Sequence, residues 1–95
     1  MFLSAYHFDG EPAALVPAYD AFAGTFPPGA LGLHACVLTA NGITVYDACP
    51  TRQVFEEFHR SAEFRSAVAA VGLPLPRIEP IGEVHHAMAS QAVAR

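Results

Sequence analysis

The chain has 95 residues, just over half of them hydrophobic, and a net charge of −4 at pH 7. It holds no lysine and only five scattered arginines, so it lacks the basic stripe that a nucleic-acid binder or a ligand of anionic membranes requires. No apolar run approaches the roughly 20 residues that span a bilayer, and the N-terminal stretch from Met1 has neither a basic region nor a cleavage pattern.

These features predict a single cytoplasmic domain whose two cysteines, Cys36 and Cys49, are reduced. A chain of this size buries a modest core. Its high hydrophobic share implies that some apolar surface meets a partner subunit or lines a pocket.

Phe2 to Phe8 alternates as a strand, with Phe2, Ser4, Tyr6 and Phe8 on one face and Leu3, Ala5 and His7 on the other. Asp9-Gly10 ends it, and Glu11-Pro12 opens a helix, since proline tolerates the first turn. Leu15, Tyr19, Phe22 and Phe26 form one face of that helix. Pro17 predicts either a bend or the start of the regular part. Gly24, Pro27, Pro28 and Gly29 stop it.

From about Leu31 to Cys49 the chain reads as a β-hairpin closed by Asn41-Gly42, a pair suited to a type I′ turn with positive φ at both positions. The predicted register sets Ala40 against Ile43, Leu38 against Val45, Cys36 against Asp47 and His34 against Cys49. His34, Cys36, Asp47 and Cys49 then share one sheet face. Cys36 and Cys49 are diagonal, about 7 Å apart at Cβ, too far for an unstrained disulfide.

Pro50 ends the hairpin and Thr51 caps the next helix. Val54, Phe55 and Phe58 give its apolar face, Phe64, Val68 and Val71 continue it, and Ser61 is a second cap where the helix can break and restart. Gly72 and Pro74 end the helical region. Arg77 to Met88 reads as the last strand, with Ile81 and His85 on one face and Val84 and His86 on the other. The tail 89–95 is expected to fray.

The order β-α-β-β-α-β predicts an α+β, ferredoxin-like fold: a four-stranded antiparallel sheet with its helices on one face. The bare opposite face predicts a homodimer that stacks two such sheets.

Several features in order resemble a known group. These are Gly32-Leu33-His34, then Asn41-Gly42, then Val45-Tyr46-Asp47-Ala48-Cys49. Thr51, Phe55 and Phe58 follow, then Ala69-Ala70-Val71-Gly72-Leu73-Pro74, and finally Val84-His85. The pattern is similar to the dimeric α+β barrel superfamily, which includes the antibiotic biosynthesis monooxygenases, and in particular to its short actinobacterial members. Cys49 departs from it, standing where an aromatic residue, often Trp, would line the pocket. Pro50 also departs, standing where an acidic residue is usual. The resemblance implies a dimer with a cavity between sheet and helices in each subunit. It also implies reactions such as cofactor-free oxygenation or cyclisation of aromatic polyketides, haem degradation, or dehydration and isomerisation of small rings. The fold alone does not select among them.

His34 and Asp47 form the leading catalytic pair, because a carboxylate beside an imidazole orients it and favours its charged form. The competing reading is a buried histidine paired for structure. His85 is the third catalytic candidate and His7 a candidate binding residue. The sequence leaves open whether both face His34 or the dimer interface. Tyr46, Phe55, Phe58 and Cys49 are expected to shape a pocket. Tyr6 and Tyr19 are read as core and rim aromatics able to meet an aromatic ligand. His59 is expected to face solvent, as are Glu56, Glu57, Glu63 and Arg60. His34, Cys36, Asp47 and Cys49 are all metal-ligand types, but their spacing is not that of a zinc site. No metal, haem or other tight cofactor is expected. The partner classes expected are a second copy of the chain and a hydrophobic small molecule. A non-catalytic binding or accessory dimer is the rival reading.

Overall fold

The computed structural model describes residues 1–26 and 32–88. The stop signal at Pro27 to Gly29, the hairpin start at Leu31 and the tail 89–95 lie outside these residues. The elements are β1 (Phe2–Asp9), α1 (Pro12–Ala23), β2 (Leu33–Thr39), β3 (Gly42–Cys49), α2 (Arg52–Arg60), α3 (Ala62–Ala70) and β4 (Arg77–Glu83). The sheet is antiparallel with order β2-β3-β1-β4. This is the ferredoxin-like βαββαβ arrangement, with its second helix broken in two.

Local chemistry explains the helix ends. The Thr51 hydroxyl accepts a hydrogen bond from the Val54 N–H, and the Ser61 hydroxyl accepts one from the Phe64 N–H, both at 3.1 Å. Each cap is worth about 1 kcal/mol. The second one lets α3 restart where α2 stops. After α3, Gly72 takes a left-handed φ of 84°. The Gly72 N–H then donates to the Ala69 carbonyl and the Leu73 N–H to the Val68 carbonyl, the paired bonds of a Schellman ending. Pro17 lies inside α1 without dividing it. It and Ala13, whose carbonyl loses its N–H partner, are both exposed, so solvent reaches that carbonyl.

The hairpin turn differs from expectation. Thr39 pairs with Gly42 and Leu38 with Ile43, which leaves Ala40 and Asn41 as the turn. Among the described residues no non-glycine residue has positive φ, so the type I′ turn at Asn41-Gly42 is not formed. Tertiary pairing accounts for the change. Gly42 is drawn into the sheet between Thr39 and Asp9. A Cβ there would stand 1.9 Å from the Phe8 carbonyl oxygen. Glycine is needed at this position for close approach, not for the turn. The register moves by two residues, so every side chain keeps its predicted face but changes partner. His34 now lies directly opposite Asp47, and Cys36 opposite Val45.

The last strand is shorter than expected, ending at Glu83 rather than Met88. Its pairing with β1 shifts between Leu3 and Ser4, so Ile81 is the extra residue of a bulge. Pro80 is tolerated because β4 is an edge strand.

The core lies between the sheet and the helices. Phe2, Tyr6, Phe8, Ile43, Val45 and Cys49 from the sheet meet Leu15, Phe22, Phe55, Phe64, Val68 and Leu73. Phe55 is its centre, 1% exposed, with ring centroids 5.3 Å from Phe2 and 6.4 Å from Tyr6. The other sheet face carries Leu3, Ala5, His7, Leu33, Ala35, Val37, Thr44, Tyr46 and Ala48 by register. No helix among the described residues contributes to the core on this face; Ala35 and Val37 are exposed there, whereas Ala5, Thr44 and Ala48 are buried.

Candidate functional site

Three side chains from three elements meet at the helix-covered face near the β2 edge. β2 and β3 place His34 and Asp47 opposite each other, and the imidazole Nδ1 lies 2.5 Å from Asp47 Oδ1. The apolar face of α1 brings Tyr19 over the sheet, where its hydroxyl hydrogen-bonds to His34 Nε2. The Tyr19 and His34 rings are within 11° of parallel with centroids 5.8 Å apart. That spacing is too long for face-to-face contact, so the rings lie side by side. The phenol then meets the in-plane lone pair of Nε2. With a neutral imidazole, the Nδ1–H donates to Asp47 and the Tyr19 hydroxyl donates to Nε2.

Burial grades along this chain of bonds. The Asp47 side chain is 9% exposed and that of His34 27%. Desolvation, with the nearby Cys36, Asp47 and Asp20, pushes the Tyr19 phenol up to about 12. Tyr19 therefore stays protonated near neutral pH and acts as a hydroxyl, not as a phenolate. The arrangement orients the imidazole and offers a carboxylate to an imidazolium.

Tyr6 lies deeper on the same face. Its hydroxyl is buried with no hydrogen-bond partner among the described residues. The neighbouring Ser4 hydroxyl donates instead to the Asp47 backbone oxygen at 3.4 Å. Burial pushes the Tyr6 phenol well above its ordinary value. Burial also raises both thiols. For Cys36 the second cause is Asp20, and for Cys49 it is Asp47. This outweighs any help that the start of α2 gives a Cys49 thiolate.

The other predicted site residues do not converge on this centre. Cys49 and Phe55 share the helix-covered side but are core, 3% and 1% exposed. Phe58 is half-buried against Tyr6 and Phe64. Tyr46 alternates onto the open face. His7 is also there. Its Nδ1 is 2.9 Å from the Thr44 hydroxyl and its Nε2 2.9 Å from Glu79 Oε1, so the strands resolve the open alternative for His7 away from His34. His85 is exposed beyond the end of β4, and β4 and β2 are opposite edges of the sheet. His59 differs from expectation. Its side chain is only 17% exposed, bonded to Glu56 and packed on Phe55 at 4.6 Å. Among the described residues no three His, Cys, Asp or Glu side chains are gathered as a metal site.

Sequence reasoning placed Tyr19 on the right helix face but missed its role. The available signal was a hydroxyl on an otherwise apolar stripe, which needs a polar partner on the sheet below. Compared with protein families and curated proteins, the chain matches no family model and no curated sequence.

Proposed function

We propose that this chain is a small-molecule enzyme of the antibiotic biosynthesis monooxygenase-like type. It works as a homodimer and moves a proton on a hydrophobic or aromatic metabolite without a tightly held cofactor. The observation that supports this most is the continuous chain Tyr19–His34–Asp47. A substrate C–H or O–H meets the Tyr19 oxygen and gives up its proton there. The phenolic proton passes at the same time to His34 Nε2, and Asp47 stabilises the resulting imidazolium. The electron pair stays on the substrate as a carbanion or phenolate. Reprotonation at another atom gives isomerisation, and attack on an internal carbonyl gives cyclisation. With dioxygen as co-substrate, an activated CH2 becomes C=O and one water is released.

The homodimer part of the reading rests on the β2 margin of the helix-free sheet face, where Val37 is 43% exposed and Ala35 is also exposed, while Ala5, Thr44 and Ala48 nearer its centre are buried within the single chain. Stacking two such faces buries this surface. Native mass spectrometry of the untagged protein should give a dimer, and Val37→Glu should shift it to monomer. A monomeric native protein rules that part out. Cytoplasmic placement belongs to the same reading.

A non-catalytic binding dimer is favoured by one observation: both nitrogens of His34 already have partners. Anthrone, an aromatic carbon acid, separates the two readings. The native protein should accelerate deuterium exchange at its CH2 carbon, followed by proton NMR. Tyr19→Phe and His34→Ala should each lower that rate about 100-fold while the fold is retained. Native-like rates in His34→Ala would refute the catalytic assignment. Binding of anthrone without exchange would favour the binding dimer.

A further inference from the structure

Phe22, Phe26, Phe58 and Phe64 line a cavity of about 200 Å³ between the end of α1 and the α2–α3 junction, with Thr25, Ser61, Glu63 and Ala67 also in its wall. The rings stand steeply to one another. Phe22 and Phe26 cross at 89°, Phe22 and Phe64 at 76°, and Phe58 and Phe64 at 53°. The space they line is half open to solvent. The hydroxyls in the wall are already committed. Thr25 Oγ1 donates to the Phe22 carbonyl at 2.7 Å, and Ser61 Oγ donates to the Phe58 carbonyl at 2.8 Å while capping α3. Glu63 differs. It is exposed, and among the described residues its carboxylate makes no ion pair, the arginines of α2 being turned to Glu56.

We propose that this cavity binds a small organic cation, a tertiary or quaternary alkylammonium group, with its methyl groups among the four phenyl rings and its charge toward Glu63. The wall selects by exclusion. Among the described residues it offers no cation and no free donor, so an anion or a carbonyl compound gains nothing from them. A primary ammonium needs acceptors for three N–H bonds; the phenyl rings supply none, which leaves it dependent on Glu63 and the Thr25 hydroxyl oxygen at the wall. A methylated ammonium carries charge without that demand and is attracted by ring faces. The size is suitable, since an apolar cavity of about 150 Å³ holds a benzene molecule. The net charge of −4 also favours the approach of a cation. This site involves none of Tyr19, His34 or Asp47, so it stands apart from the proton-transfer reading.

The test compares choline chloride with its neutral isostere 3,3-dimethylbutan-1-ol, by amide chemical-shift titration of the whole chain. Choline should shift amides in 22–26 and 58–67 and bind at least about tenfold more tightly than the alcohol. Glu63→Gln should weaken choline about fivefold and leave the alcohol unchanged. Ala67→Leu should fill the cavity and remove both. Glu63→Gln alters an exposed side chain, so it decides the matter even if Ala67→Leu fails to fold. Equal affinity for choline and the alcohol, no binding of either, or choline binding unaffected by Glu63→Gln would each overturn the proposal.

Discussion

Removing His34 should destabilise the protein more than removing Asp47, and the two losses should not add. The pair combines a side chain 9% exposed with one 27% exposed, so the two vacated sites differ. In Asp47→Ala the chain loses a charge-assisted hydrogen bond, worth about 2 kcal/mol. The imidazole left behind is partly exposed and can bond to water. In His34→Ala a nearly buried carboxylate loses its partner. Leaving such a charge uncompensated costs about 3–5 kcal/mol, taken here as about 3 because truncating the imidazole admits some solvent. The double variant removes the orphaned charge along with its partner and should also cost about 3 kcal/mol. The coupling is therefore about 2 kcal/mol. The assay is urea unfolding by circular dichroism at pH 7 and one fixed protein concentration, so that self-association does not move the midpoint. For a domain of this size, 2 kcal/mol corresponds to roughly 10 °C in Tm, a second readout. Losses that add to within about 0.5 kcal/mol, or Asp47→Ala costing more than His34→Ala, would refute the reasoning.

Alkaline stability should fall through a window to which Tyr19 contributes. Its phenol is near 12 in the fold and about 10 in the unfolded chain. Between these values the unfolded state binds fewer protons, so stability drops as pH rises. Tyr19→Phe should lessen this decline, to which the buried Tyr6 phenol and the two raised thiols also contribute, measured as Tm between pH 9 and 12 (about the usable range), and an unchanged slope would count against the desolvated phenol. Gly42→Ala should cost at least about 2 kcal/mol, because its Cβ meets the Phe8 carbonyl oxygen at 1.9 Å. A native-like urea midpoint would contradict that packing. Cys49 is 3% exposed and its thiol is raised by burial, so iodoacetamide should label it far more slowly in the folded protein than in urea. Equal rates would place it outside the core.

Side-chain period made much of this fold legible. Alternation along Phe2 to Phe8, the helical stripe of Leu15, Tyr19 and Phe22, and the caps at Thr51 and Ser61 are all local signals, and the elements formed where those signals stood. The turn failed for a reason outside its own residues. Gly42 pairs with β1 as well as β2, and the approach of Phe8 competes with the turn preference of Asn41-Gly42. The end of β4 failed similarly, since nothing local to Val84 and His85 reports where the pairing partner on β1 runs out. Parity alone separated Tyr46 from His34, because adjacent residues of β3 point to opposite faces.

By itself the sequence determined the element order, the sheet arrangement that follows from it, and the face on which His34 and Asp47 stand, because each depends on spacing within a short segment. Only the tertiary structure decided that these two lie directly opposite, that Tyr19 rather than His85 or His7 completes the chain of hydrogen bonds, and that four phenylalanines line a half-open cavity beside Glu63. Each of these depends on where one element settles on another. That position is set by packing of the whole core, which no local residue pattern encodes.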